Sequence, residues 1–188
     1  MREDATRAAS ILLIVAACCG GAPTPRPQLP AIELRGMQSE LTTVTADRLA
    51  RDALEPDVLA SLLEDAGYRS GAERTYAGPG ARFSLAITRV LSFEDPDGAE
   101  TYLDWLRDHA SDLLGTADPL PPLDLPDSFV AVHLPGGCCP KAVPVYLSAW
   151  RRRSNVFSVK VSGRGADPDS VEDLATALDS SAGGSSDA

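Results

Sequence analysis

Several things are scarce in this chain of 188 residues, and each scarcity removes a class of function. It has no uninterrupted apolar run of about 20 residues, the length a helix needs to cross a bilayer. It has two histidines and four cysteines, and no Cys-x-x-Cys spacing. That counts against a structural zinc site. It lacks a Gly-x-Ser-x-Gly elbow, a phosphate-cradling Gly-x-x-x-x-Gly-Lys-Ser/Thr loop, a His-Glu-x-x-His helix and a Gly-x-Gly-x-x-Gly turn. The common hydrolase, nucleotide and dinucleotide signatures are therefore missing, and no cofactor is implied. Basic residues are outnumbered, 17 against 27 acidic, for a net charge of -10. Such a chain is repelled by nucleic acid and by anionic headgroups. The basic cluster Arg151-Arg152-Arg153 sits between two strand-like runs and reads as a solvated hairpin turn.

What is present begins at the N-terminus. Residues 8–17 are uncharged and too short to span a membrane, but they suit the apolar core of a signal peptide, which ends in small residues. The stretch closes with Val15-Ala16-Ala17-Cys18, which resembles the lipobox of bacterial prolipoproteins. The resemblance implies cleavage before Cys18 and a thioether-linked diacylglycerol on that residue, and so a membrane partner through two acyl chains, which make a stable anchor. Four prolines follow in Gly20-Gly-Ala-Pro-Thr-Pro-Arg-Pro-Gln-Leu-Pro30. Proline removes backbone donors and favours extended polyproline II, so this segment reads as a stalk. The expected organisation is a signal peptide at 1–17, the lipidated cysteine and linker at 18–41, one α+β domain at 42–179, and a loose tail at 180–188. The tail has no large apolar residue to offset its ordering entropy.

Within the head, the spacing of Val58, Leu59, Leu62, Leu63 and Ala66 predicts a helix over 55–67, opened by Pro56 and stopped by Gly67. A shorter helix is expected over 46–54. Residues 82–93 alternate, with Phe83, Leu85, Ile87, Leu91 and Phe93 on one side, and predict a half-buried strand paired with 71–77. A long helix over 96–114, capped by Asp95, presents Ala99, Tyr102, Leu103, Leu106 and Ala110 inward. The proline-rich stretch 118–126 reads as a surface connector. Strands are expected at 128–134, 142–150 and 155–161, with Pro144 demoting the second to an edge or a bulge. A last helix over 168–178 buries Val171, Leu174, Ala175 and Leu178. Asp95-Pro-Asp-Gly-Ala-Glu100 aligns with Asp167-Pro-Asp-Ser-Val-Glu172, a pattern explained either by duplication or by ordinary helix-start chemistry. The expected fold is an antiparallel sheet of about five strands with helices packed mainly on one face, with two ββα-like halves as one form of it.

Two features are candidates for chemistry. Cys138 and Cys139 lie in a glycine- and proline-flanked turn, where they are an incidental pair, a strained vicinal disulfide, a redox thiol, or a soft-metal site completed by His133. Arg89 interrupts the apolar face of its strand. Either a bulge turns it to solvent, or it meets an anion or a buried partner under a helix. Taken together, the chain reads as an extracytoplasmic, membrane-anchored lipoprotein of the cell envelope. Its head would be non-catalytic and bind a small ligand or an envelope protein. Two alternatives stay open: a thiol- or metal-handling protein using Cys138 and Cys139, and a small envelope hydrolase working with carboxylates.

Overall fold

The computed structural model describes residues 27–78, 83–134 and 143–183. Seven strands form one sheet: β1 (Gln38–Val44), β2 (Tyr68–Ala77), β3 (Leu85–Phe93), β4 (Asp118–Leu120), β5 (Phe129–His133), β6 (Val145–Arg152) and β7 (Asn155–Ser162). Their order across the sheet is β1-β2-β3-β7-β6-β5-β4, and every neighbouring pair is antiparallel. The helices are α1 (Ala46–Arg51), α2 (Pro56–Asp65), α3 (Pro96–Asp108), α4 (Ala110–Leu114) and α5 (Pro168–Gly183). None of them is long and apolar enough to cross a membrane.

The α+β class stands, and four of the five described helices lie on one face as expected, but the strand count needs correction. The sheet has seven strands rather than about five. The two extra strands are edge strands with little apolar patterning. In β1 only Val44 is buried, so backbone pairing with β2 holds the strand and an apolar stripe does not. β4 contains Pro119, whose missing donor is tolerated at an edge. Nor is one face left open. Helices α1 to α4 cover one face, over Leu91, Phe93, Phe129, Ala131, Leu147 and Val156. Helix α5 covers the other, over Val90, Trp150, Phe157, Val159 and Val161. Adjacent apolar pairs such as Val90-Leu91 and Val156-Phe157 are the cause, because successive strand residues point to opposite faces and both must be buried. Hairpins β2–β3 and β6–β7 each lead into a helix and meet along β3–β7. The two ββα units are not equivalent halves, since α3 and α5 lie on opposite sides.

Both aspartate starts are real caps. Asp95 Oδ1 accepts from the Gly98 amide at 2.8 Å, and Asp167 Oδ1 from the Ser170 amide at 2.8 Å. Gly98 has a further role: a Cβ there would stand 2.0 Å from the Ala66 carbonyl oxygen, so the first turn of α3 can approach the end of α2 only with glycine. The long helix breaks at His109, whose dihedrals (φ -102°, ψ 14°) leave the helical range. Its Nδ1 lies 2.8 Å from the Trp105 carbonyl and its ring stacks on that indole, a local arrangement that favours two helices over one. On α2, Leu59, Leu63 and Ala66 are buried as spaced, but Val58 is 52 % exposed because the stripe faces one side only. Pro144 precedes β6 and stays outside its ladder, so the strand runs inside the sheet between β7 and β5.

The linker and tail boundaries also move. Leu29 is buried beneath α5 on the sheet, Tyr76 Oη accepts from the Ile32 amide at 3.0 Å, and Arg74 Nη2 donates to the Leu29 carbonyl at 3.3 Å. Residues 29–37 are thus a strap on the α5 face rather than a free stalk. At the other end, α5 runs to Gly183 because Asp179 is fixed: its carboxylate accepts from Trp150 Nε1 at 3.0 Å and pairs with Arg152.

Candidate functional site

The middle of the α1–α4 face is not filled by side chains. A cavity of about 220 Å³ lies there, floored by the sheet and roofed by helices. Its floor comes from three adjacent strands: Ile87 and Arg89 on β3, Ser158 and Lys160 on β7, and Leu147 on β6. Leu49 of α1 and Leu59 of α2 form one wall; Tyr102, Trp105 and Leu106 of α3, with Leu113 and Leu114, form another. Asp52 stands exposed at the mouth. Aromatic rings stiffen the α3 wall in a row: Phe93–Tyr102 at 5.4 Å, Tyr102–Trp105 at 6.0 Å and Trp105–His109 at 4.6 Å between centroids.

Arg89 is placed by register. It pairs with Glu73 on β2 and Ser158 on β7 with no bulge nearby, so the alternation of β3 carries it inward beneath the helices. The expected bulge is absent, and a buried partner takes up the charge. Glu73 Oε2 accepts from Arg89 Nε at 3.0 Å, and Glu73 Oε1 accepts from Arg48 Nη2 of α1 at 2.8 Å. The Glu73 side chain is 7 % exposed, that of Arg89 is 30 % exposed, and that of Arg48 is 39 % exposed. Arg89 lies deep in the fold, and its exposure is toward the cavity that it lines. One buried carboxylate therefore serves two guanidiniums, as a buried acid requires.

The electrostatics follow from burial and these neighbours. Burial disfavours the Arg89 charge, but the Tyr102 hydroxyl and the Glu73 carboxylate more than offset it and raise the pKa above the ordinary arginine value. Burial raises the Tyr102 phenol, with Arg89 pulling the other way by charge and hydrogen bond. Tyr68, whose hydroxyl donates to the Val44 carbonyl at 2.7 Å, is pushed up to about 12, mainly by burial. Lys160 moves down from the ordinary lysine value, first through burial and then through repulsion from Arg89. Among the described residues Lys160 has no hydrogen-bonded or ion-paired partner. It stands between Ile87 and Leu147 on the neighbouring strands.

The other sequence candidates lie elsewhere. His133, at the end of β5, places Nδ1 2.8 Å from the Thr116 carbonyl, where it ties the strand to the loop after α4. No group of three metal-ligating side chains occurs among the described residues. Cys18, Cys138 and Cys139 fall outside the described residues. Arg151 and Arg152 end strand β6 rather than sitting in a solvated turn, and their charges are met within the chain, by Asp127 at 2.7 Å and by Asp179. Glu73, Arg48, Lys160 and Tyr102 were not singled out from the sequence as site residues. A usable signal existed for two of them: Glu73 and Lys160, like Arg89, are charged residues in strand-forming runs.

No family model and no curated protein matches this chain. A solved structure does. The extracellular domain of PknH from Mycobacterium tuberculosis aligns with a TM-score of 0.54 at 12% identity, covering 79% of this chain and 86% of that one. At that identity the likeness is one of fold, extending over nearly all of the domain described above.

Proposed function

We propose that this chain is an envelope lipoprotein, tethered through diacylglycerol on Cys18, whose head captures a small ligand in the cavity beneath α1–α4. The observation that carries the reading is that cavity, in which Arg89, Lys160 and Ser158 share a pocket walled mainly by leucine and aromatic side chains, with Asp52 at its mouth. Concave, largely apolar sites with a few converging polar groups are the usual form of small-molecule sites. A hydrophobic core has no need of these charges, because apolar residues of similar volume are as stable or more so. The likeness to an extracellular domain and the order of apolar run, cysteine, prolines and head support an extracytoplasmic location.

The head is non-catalytic in this reading. Glu73, the buried acid of the site, is engaged by two guanidiniums and has no free role as an acid or base. Two measurements test the proposal. Native mass spectrometry of the protein recovered from its own envelope is expected to show a bound small molecule, and an apo spectrum throughout would refute ligand capture. Cys18→Ala is expected to move the protein from the membrane to the soluble fraction. If that variant fractionates like the wild type, the anchor is elsewhere.

A further inference from the structure

The charges around the cavity do not balance. Arg48, Arg89 and Lys160 bring three cations to this face, against Glu73 within and Asp52 at the mouth. Glu73 is fully used by the two guanidiniums, and Lys160 is left without a partner among the described residues. The surplus is one positive charge, half-buried in a chain whose net charge is -10. Arg89 faces Ser158, and Lys160 lies two residues further along β7, so the two cations are diagonal neighbours on one sheet face. Such positions lie about 7–8 Å apart at the backbone, a gap that a small acidic group spans between two long cationic side chains. Apart from Asp52 at the mouth and the Tyr102 hydroxyl, the remaining lining is apolar, chiefly Leu49, Leu59, Leu106 and Leu147 with the Trp105 ring.

We infer that the ligand is a small amphipathic monoanion, its acidic group seated between Arg89 and Lys160 beside Ser158 and its apolar body lying against the leucines and Trp105. This deepens the proposed function and rests on the same cavity. An anion there relieves two costs at once, the desolvation of Lys160 and its repulsion from Arg89. A cationic or neutral ligand relieves neither. The surplus of a single charge selects a monoanion over a dianion, since a second negative charge would find no further cation and would add to Asp52 at the mouth.

The molecule carries its own probe. Of the two tryptophans, Trp105 lines the cavity, while Trp150 is fully buried on the α5 face. The complete mature chain with Cys18→Ser is titrated with octanoate, octanol and octylamine, three probes of matched length and different charge, with tryptophan emission as the readout. Octanoate is expected to bind at least tenfold more tightly than the other two, and its signal should vanish in Trp105→Phe. Lys160→Met is expected to lose at least tenfold for octanoate with no change for octanol and no fall in melting temperature. Lys160→Arg should retain octanoate, which separates loss of charge from loss of fold. Equal binding of octanoate and octanol would overturn the anion assignment while leaving ligand capture intact, as would a preference for octylamine. Failure of all three probes would also overturn it. Native mass spectrometry would then judge ligand capture separately.

Discussion

Replacing Glu73 should damage the fold more than replacing the arginine it binds. Glu73→Gln keeps the shape of the side chain but leaves Arg89 and Arg48 facing each other without a counter-charge. Removing one member of a fully buried ion pair costs about 3–5 kcal/mol. Here Arg48 is 39 % and Arg89 30 % exposed, so water recovers part of that cost and roughly 2 kcal/mol remains. For a domain of this size that corresponds to a fall in melting temperature of about 4–8 °C. Arg89→Met is a different perturbation. Glu73 keeps Arg48, and the thioether joins Ile87 and Leu91 on the same strand face, for an expected cost below about 1 kcal/mol. The double variant should be more stable than Glu73→Gln alone, because only the more exposed guanidinium is then orphaned. Urea unfolding followed by circular dichroism measures all three. Added sulfate should restore part of the Glu73→Gln loss by supplying the missing anion. If Arg89→Met costs as much as Glu73→Gln, Glu73 is not the hub of this cluster and the charge accounting fails.

Gly98→Ala should destabilise by about 1–3 kcal/mol, because its methyl group meets the Ala66 carbonyl; a thermal melt within 1 °C of wild type would show that α2 and α3 can simply part. Asp179→Ala orphans Trp150 Nε1 and Arg152 together and should cost about 2–4 kcal/mol, with faster amide exchange in the last turns of α5 as the local signature. Lys160 gives a pH effect whose sign is set by its lowered folded pKa. Between that value and the unfolded 10.5, the unfolded chain binds more protons, so this lysine makes stability rise with pH across that window. Below the window its full cost is present. The difference in stability between Lys160→Met and wild type should therefore be largest at neutral pH and shrink toward pH 10.5 in paired melts; a constant difference would show that Lys160 is not desolvated.

The parts legible from sequence were those governed by local periodicity. Leu59 and Leu63 on α2, the Tyr102 face of α3, the Val171 to Leu178 stripe of α5 and the two aspartate caps all depend on residues within a few positions of one another. The site was not legible because it is non-local. Arg48, Glu73, Arg89 and Lys160 become neighbours only through the pairing of β2 with β3 and β3 with β7, and a register is not written in any one strand. Arg89 alone drew attention, since its charge broke a clear alternation. The two-sided burial of the sheet was missed for a related reason: the apolar residues on the even positions of β3 are Ala86 and Val90, which look neutral until α5 is placed over them. The edge strands β1 and β4 have almost no apolar signal to read.

The N-terminal strap has a consequence for orientation. Residues 27–30 lie on the α5 side of the sheet, where they line one depression with Val90, Phe157 and Ala182, whereas the cavity opens on the opposite side. With the anchor proposed on Cys18, residues 18–26 would reach at most ~30 Å when fully stretched, a tether that would favour turning the α5 face toward the bilayer and the mouth of the cavity away from it. In that arrangement a molecule would enter the mouth from the aqueous compartment rather than from the leaflet. The strap would thus bias which of two environments the head of an anchored chain samples.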